Sequence, residues 1–224
     1  MSRRRNLWLQ PTATLLFLLS GTALGAPAPL TVADGVRQAM GTLVAAPGEA
    51  SLLALARREQ LGWTATQNLF QERLDDLTNG FLEWRGHQAA SGTFTTVRAG
   101  LYSGGPGAGL MVLNREWCRW DRCEDRTVFG RPGPGGWQPV AEAAVIPRLR
   151  DSDFYPGTVP ACLRGVVLRV KYLPARFGAA LTVLGLPPLA DRDRCRASGV
   201  DPAVVLRPVV LHWNTAAGKF RRAP

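Results

Sequence analysis

This sequence has little histidine, little lysine and no recognisable catalytic motif. Of its 224 residues only His87 and His212 are histidine, and they stand far apart in the chain. A zinc site sharing the four cysteines would need paired ligand spacing, which neither histidine supplies. There is no Gly-x-Ser-x-Gly elbow to present a nucleophilic serine. The glycine-rich run at 104–109, GGPGAG, lacks the Lys-Ser/Thr pair that grips phosphate and magnesium. Glu116, Asp121, Glu124 and Asp125 lack the alternating donors and central glycine of a calcium loop. The reading is therefore no cofactor, no metal and no catalytic set. Beyond residue 30, no apolar run reaches the roughly 20 residues that cross a bilayer. The most apolar stretches, 163–173 and 203–213, are interrupted by Arg164, Arg169, Lys171 and Arg207.

The first residues have a pattern of their own. Arg3, Arg4 and Arg5 precede an apolar stretch at 14–20, with Leu7, Trp8 and Leu9 ahead of it. Ala23-Leu24-Gly25 then supplies small residues before Ala26. Positive, apolar, then small-x-small is the order of a secretory leader. The expectation is a signal peptide at 1–25 and a periplasmic or secreted protein, with no transmembrane segment after cleavage. The absence of cysteine at the cleavage position argues against a lipid anchor. Arg4-Arg5-Asn6-Leu7-Trp8 also fits a twin-arginine signal, although any arginine-led leader does so easily.

The chain carries 27 basic and 17 acidic residues, a formal charge of +10. All the basic residues except Lys171 and Lys219 are arginine. The guanidinium fork suits phosphate and carboxylate, so an exported protein of this charge could meet anionic envelope polymers. A genome-wide arginine bias would produce the same excess. An even set of four cysteines in an oxidising compartment points to two disulfides. The favoured pairing is Cys118–Cys123 with Cys162–Cys195. A turn at Trp120-Asp121 would make Arg119 and Arg122 a cross-strand pair, leaving the cysteines as the next pair at about 4.5 Å between Cα atoms. Trp-Asp is a poor two-residue turn because it has no glycine or asparagine. A spacing of four residues between Cys118 and Cys123 is also unlike the Cys-x-x-Cys of a thiol exchanger, so the bridges read as structural.

The front of the chain reads as helical. Thr31 and Asp34 have capping-box spacing, followed by Val32, Val36, Met40, Leu43 and Val44 at helical intervals. Leu52, Leu55, Ala56 and Glu59 suggest a second short helix. A third is predicted from Thr64 through a stripe of Leu69, Phe70, Leu74 and Leu77 to an Asn79-Gly80 cap. The segment 52–69 has the outline of a helix-turn-helix unit, but the leader ahead of it favours a plain helical hairpin, and nucleic acid is not favoured as a partner. Strand-forming residues dominate from Ser91: 93–102, 109–114, 122–129, 137–146, 166–173, 181–184 and 204–213, with a final hairpin closing at 219–222. Val166, Leu168, Val170 and Tyr172 should share one strand face, with Arg169 and Lys171 on the other. Pro208 implies a bulge or an edge. The fold class is α+β, with short N-terminal helices packed against a mainly antiparallel, strand-rich C-terminal part. Helical 26–90 and strand-rich 91–224 are expected to form one domain, with 85–92 as the alternative boundary.

The candidates for chemistry are few. Glu72 and Asp76 would share a helix face as paired carboxylates; His87, Glu72 or Glu83 would be needed by a hydrolase site that only the fold assembles. The most distinctive segment is 115–126, in which Trp117, Arg119, Trp120, Arg122 and Arg126 share a stapled hairpin. Tryptophan beside arginine can stack on sugars and grip anions; equally, the tryptophans could be the hairpin's own small core. The leading expectation is a non-enzymatic envelope or extracellular protein that binds a surface component or a partner protein. A secreted hydrolase and a structural subunit of an envelope assembly are the alternatives.

Overall fold

The computed structural model describes residues 30–43, 45, 47–104, 109–120 and 122–222. The leader read at 1–25 lies outside these residues, as do Val44 and Asp121. Helix α1 (Val32–Thr42) begins at the expected capping box: Thr31 Oγ1 accepts from the Asp34 amide, and Asp34 accepts from the Thr31 amide, both at 3.1 Å. Its buried face is Val32, Gly35, Val36 and Ala39. Gly35 is a point of close approach between the helix and the sheet, since a Cβ there would sit 2.6 Å from Met111 Sδ. Helix α2 (Leu52–Arg58) is capped by Ser51, and its first amide donates to Thr95 Oγ1 at 3.1 Å, which ties the helix to the sheet. Helix α3 (Trp63–Gln67) is only five residues long.

The predicted third helix does not continue. Residues Glu72–Asp76 form strand β1, paired antiparallel with β2 (Phe81–Gln88). The spacing of Leu74 and Leu77 was misleading, because both side chains are exposed, at 37% and 50%. The inward residues of β1 are polar: Arg73 lies over the Trp84 ring at 5.3 Å, and Asp75 accepts from Trp84 Nε1 at 2.6 Å. Asn79-Gly80 closes this hairpin instead of capping a helix, with Gly80 at φ 63°. Glu72 and Asp76 are thus four residues apart on a strand, roughly 13 Å.

From β2 the chain meanders through β3 (Thr93–Tyr102), β4 (Leu110–Arg119), β5 (Arg122–Arg131) and β6 (Gln138–Val140), giving a six-stranded sheet in sequence order. The stretch 85–92 spans the β2–β3 hairpin. The strand read at 137–146 shortens to three residues, followed by helix α4 (Glu142–Val145). A second sheet follows: β7 (Arg169–Pro174), β8 (Ala180–Leu186), β9 (Val209–Asn214) and β10 (Lys219–Arg222), again all antiparallel neighbours. Helices α5 (Leu189–Ala197) and α6 (Pro202–Val205) lie between β8 and β9. The run read at 204–213 is therefore strand only from Val209, its first two residues closing α6, and Pro208 stands just ahead of the strand, where its missing N–H is tolerated. The α+β reading holds.

Two apolar clusters lie on opposite faces of the larger sheet. Met111, Leu113, Val97 and Trp84 face α1 and α2. Leu110, Val112 and Phe129 face the second sheet, meeting Tyr172, Leu181, Val183 and Leu211. No helix among the described residues is long and apolar enough to cross a membrane.

Both disulfides form in the expected pairing, Cys118–Cys123 and Cys162–Cys195. They enclose loops of 5 and 33 residues, so chain entropy makes them unequal. C162A/C195A is expected to cost about 4 kcal/mol in urea unfolding and C118A/C123A about 2 kcal/mol. Packing gives a second expectation. A Cβ on Gly130 would fall 2.0 Å from Trp137 Cζ2, so G130A should lower Tm and destabilise by about 1–3 kcal/mol through overpacking.

Candidate functional site

The β4–β5 hairpin has ten-residue arms, with Cys118 opposite Cys123 and Arg119 opposite Arg122. The staple holds its two Cα atoms 4.0 Å apart, near the spacing of a non-hydrogen-bonded pair. The poor turn chemistry read from Trp-Asp has a structural counterpart in Trp120, which takes φ 58°. That left-handed backbone is uncommon for a bulky residue. The Trp120 side chain is 88% exposed, and Arg119 and Arg122 are exposed beside it.

The five residues read as a binding group separate into two sets. Arg119, Trp120 and Arg122 gather at the tip. Trp117 is only 6% exposed and packs beneath it, so the two tryptophans do not share a surface. Arg126 lies further along β5, opposite Arg115, and is exposed. Trp117 and Arg126 instead line a flank pocket of about 390 Å³, together with Asp125, Glu142, Arg169 and Tyr172. The last three come from α4 and β7. Alternation in β7 pointed to Arg169 and Lys171 as a polar face, but not to their partners on the other sheet.

Those partners neutralise much of the pocket's charge. Arg169 Nη1 lies 2.7 Å from Asp125 Oδ1, and Lys171 Nζ donates to Glu116, the cross-strand neighbour of Asp125. Burial pushes the Asp125 carboxyl above its ordinary value; the charge of Glu116 adds to this, while Arg169 and Lys171 oppose it. Tyr172 donates to Glu142 Oε1 at 2.6 Å, and burial together with that carboxylate raises the phenol, so it stays protonated. Mixed donors and acceptors beside an indole suit a hydroxylated ligand better than a bare anion.

The other candidates lie apart. His87 is exposed on β2, and its amide donates to Gln71 Oε1 at 2.7 Å. His212 is exposed on β9, facing away from buried Leu211 and Trp213 as its position predicts. Burial alone would raise the Glu83 carboxyl, but the Arg98 hydrogen bond and the charges of Arg98 and Arg85 hold it below its ordinary range. Asp76 is lowered by hydrogen bonds from Arg176 and Asn79. Its separation from Glu72 exceeds the 5–9.5 Å that glycosidase carboxylates span. Glu116, Cys118 and Cys123 bring three ligand atoms within 4.8 Å of one another. Both sulfurs are spent in the disulfide, so the trio presents one carboxylate, already paired with Lys171. Comparison with protein families, curated proteins and solved structures finds no match.

The raised Asp125 carboxyl sets a pH dependence. A carboxyl raised by folding binds its proton more tightly in the native state, so its cost is absent below an unfolded pKa near 3.9 and grows as pH rises through the folded value. D125N should therefore show no advantage over the parent at pH 3 and gain on it steadily towards pH 7, as read from urea midpoints.

Proposed function

We propose that this chain is an exported, non-enzymatic binding protein of the periplasm or extracellular space. Its stapled hairpin tip docks on a surface component, of which an envelope polysaccharide with acidic groups is the best fit. The carrying observation is Trp120, 88% exposed at the end of a disulfide-closed hairpin. An indole left in water forgoes a large burial gain, and a staple that fixes it there spares the ordering cost on binding. The indole offers a stacking face for a sugar ring, while Arg119 and Arg122 supply donors for carboxylate or phosphate. Export is supported by the arginine-led start of the sequence and by two bridges that persist only where thiols are oxidised.

A hydrolase remains the second reading because one observation favours it: the flank pocket holds Glu142 and a carboxyl, Asp125, whose proton is retained to higher pH. Cosedimentation of the oxidised protein with insoluble polysaccharide from its own envelope separates the two. W120A and R119A/R122A should each weaken binding about tenfold or more while leaving Tm within a few degrees. Binding unaffected by both variants would sink the tip reading. Release of sugar fragments that D125N abolishes would turn the assignment to hydrolysis.

A further inference from the structure

Arg115 and Glu49 form an ion pair almost wholly removed from water, with side chains 1% and 0% exposed. Glu49 accepts from Arg115 Nε at 2.9 Å and from Nη2 at 3.1 Å, and Ser51 Oγ donates to the same carboxylate at 2.6 Å. Two edges of the guanidinium are thus used. Its remaining nitrogen, Nη1, is buried and has no hydrogen-bond acceptor among the described residues. A charged donor stripped of water and given nothing in return is costly, and native structures rarely keep one without a reason.

Arg115 is part of the wall of a cavity of about 340 Å³ between α1 and the β5–β6 edge. The rest of that wall is mostly apolar, including Ala39, Leu43, Phe129, Trp137 and Val140, and its other polar members are Thr42, Thr127 and Glu142, whose carboxylate already accepts from Tyr172. An apolar pocket with one unmatched donor is the usual form of a small-molecule site, in which the polar group sets orientation. The volume is at the small end of such sites.

We infer that this cavity binds a small, mostly apolar molecule carrying one neutral acceptor oxygen, such as a ketone, ester or amide carbonyl, that accepts from Arg115 Nη1. The charge count selects a neutral group. Glu49 already balances the guanidinium, so a second anion would enter a low-dielectric site without a counter-charge. A purely apolar ligand would fill the cavity but leave Nη1 unsatisfied. Nη1 is covered from solvent, so the ligand must displace a neighbouring side chain to reach it. The inference stands apart from the hairpin tip and does not depend on it.

The test is calorimetric titration of the full oxidised protein with 2-acetylnaphthalene and with 2-ethylnaphthalene, which share an apolar body and differ in the carbonyl. The ketone should bind one site about tenfold more tightly than the hydrocarbon, the size of one hydrogen bond to a charged donor. V140W, which fills the cavity, should abolish binding of both. Because removing Arg115 alone would strand Glu49, the paired variant E49Q/R115M is the informative one; a buried ion pair replaced as a unit is often tolerated. It should stay folded by circular dichroism and bind both probes equally. Equal affinities in the parent protein would mean that water already satisfies Nη1, which overturns the inference. No saturable binding, or a ketone preference that survives E49Q/R115M, overturns it as well.

Discussion

Strands β3 and β4 are covered on both faces, by α1 and α2 on one side and by the second sheet on the other, and the rest of the molecule is arranged around that double burial. Met111 and Leu113 point one way and Leu110 and Val112 the other, so four consecutive residues of β4 are all apolar and fully buried. The strand then changes character in steps. Asn114, Arg115 and Glu116 are polar, and each has a partner, Asn114 in Thr127, Arg115 in Glu49 and Glu116 in Lys171, although Arg115 Nη1 is left without an acceptor among the described residues. Trp117 closes the packed region, Cys118 staples it, and Arg119 and Trp120 emerge into water. This strand and the turn residue after it therefore pass from fully buried core to exposed surface within eleven residues.

Composition and turn counting worked where the signal was local. The strand 93–102, rich in Thr, Phe, Val and Tyr, has the bounds expected of it, and the Cys118–Cys123 register follows from counting back from the turn. Periodicity failed at β1, where helical spacing of Leu69, Phe70, Leu74 and Leu77 outweighed the hairpin signal of Asn79-Gly80. The inward residues there are Arg73 and Asp75, which pack on Trp84 through charge and hydrogen bonding rather than oiliness. Strand β2 was hidden for a related reason, since its solvent-side positions carry Glu83, Arg85 and His87. Within the candidate site, Arg119, Trp120 and Arg122 were legible because they are local to one hairpin. Glu142, Tyr172 and the cavity around Arg115 join segments far apart in sequence, and no local pattern encodes such meetings.

The arginine excess is less available than the composition implies. Arg85 and Arg98 share Glu83, Arg176 holds Asp76, Arg222 holds Asp153, and Arg169 holds Asp125. Most of these pairs are partly exposed and add little individually. Their effect is to leave some arginines occupied while others, Arg119 and Arg122 among them, have no acidic partner among the described residues. The position of unspent charge, more than its total, decides where an anion would meet this surface.

Both sheets connect each strand only to its neighbour in sequence. Such wiring lets each strand pair with the one that precedes it, so each sheet can grow strand by strand along the chain. The cysteines obey the same order: Cys118 and Cys123 are successive along the chain and bonded to each other, and Cys162 and Cys195 follow. A chain threaded into an oxidant amino terminus first would close the small bridge before the third sulfur arrived. Closure in that order would favour the native connectivity over the two alternative pairings.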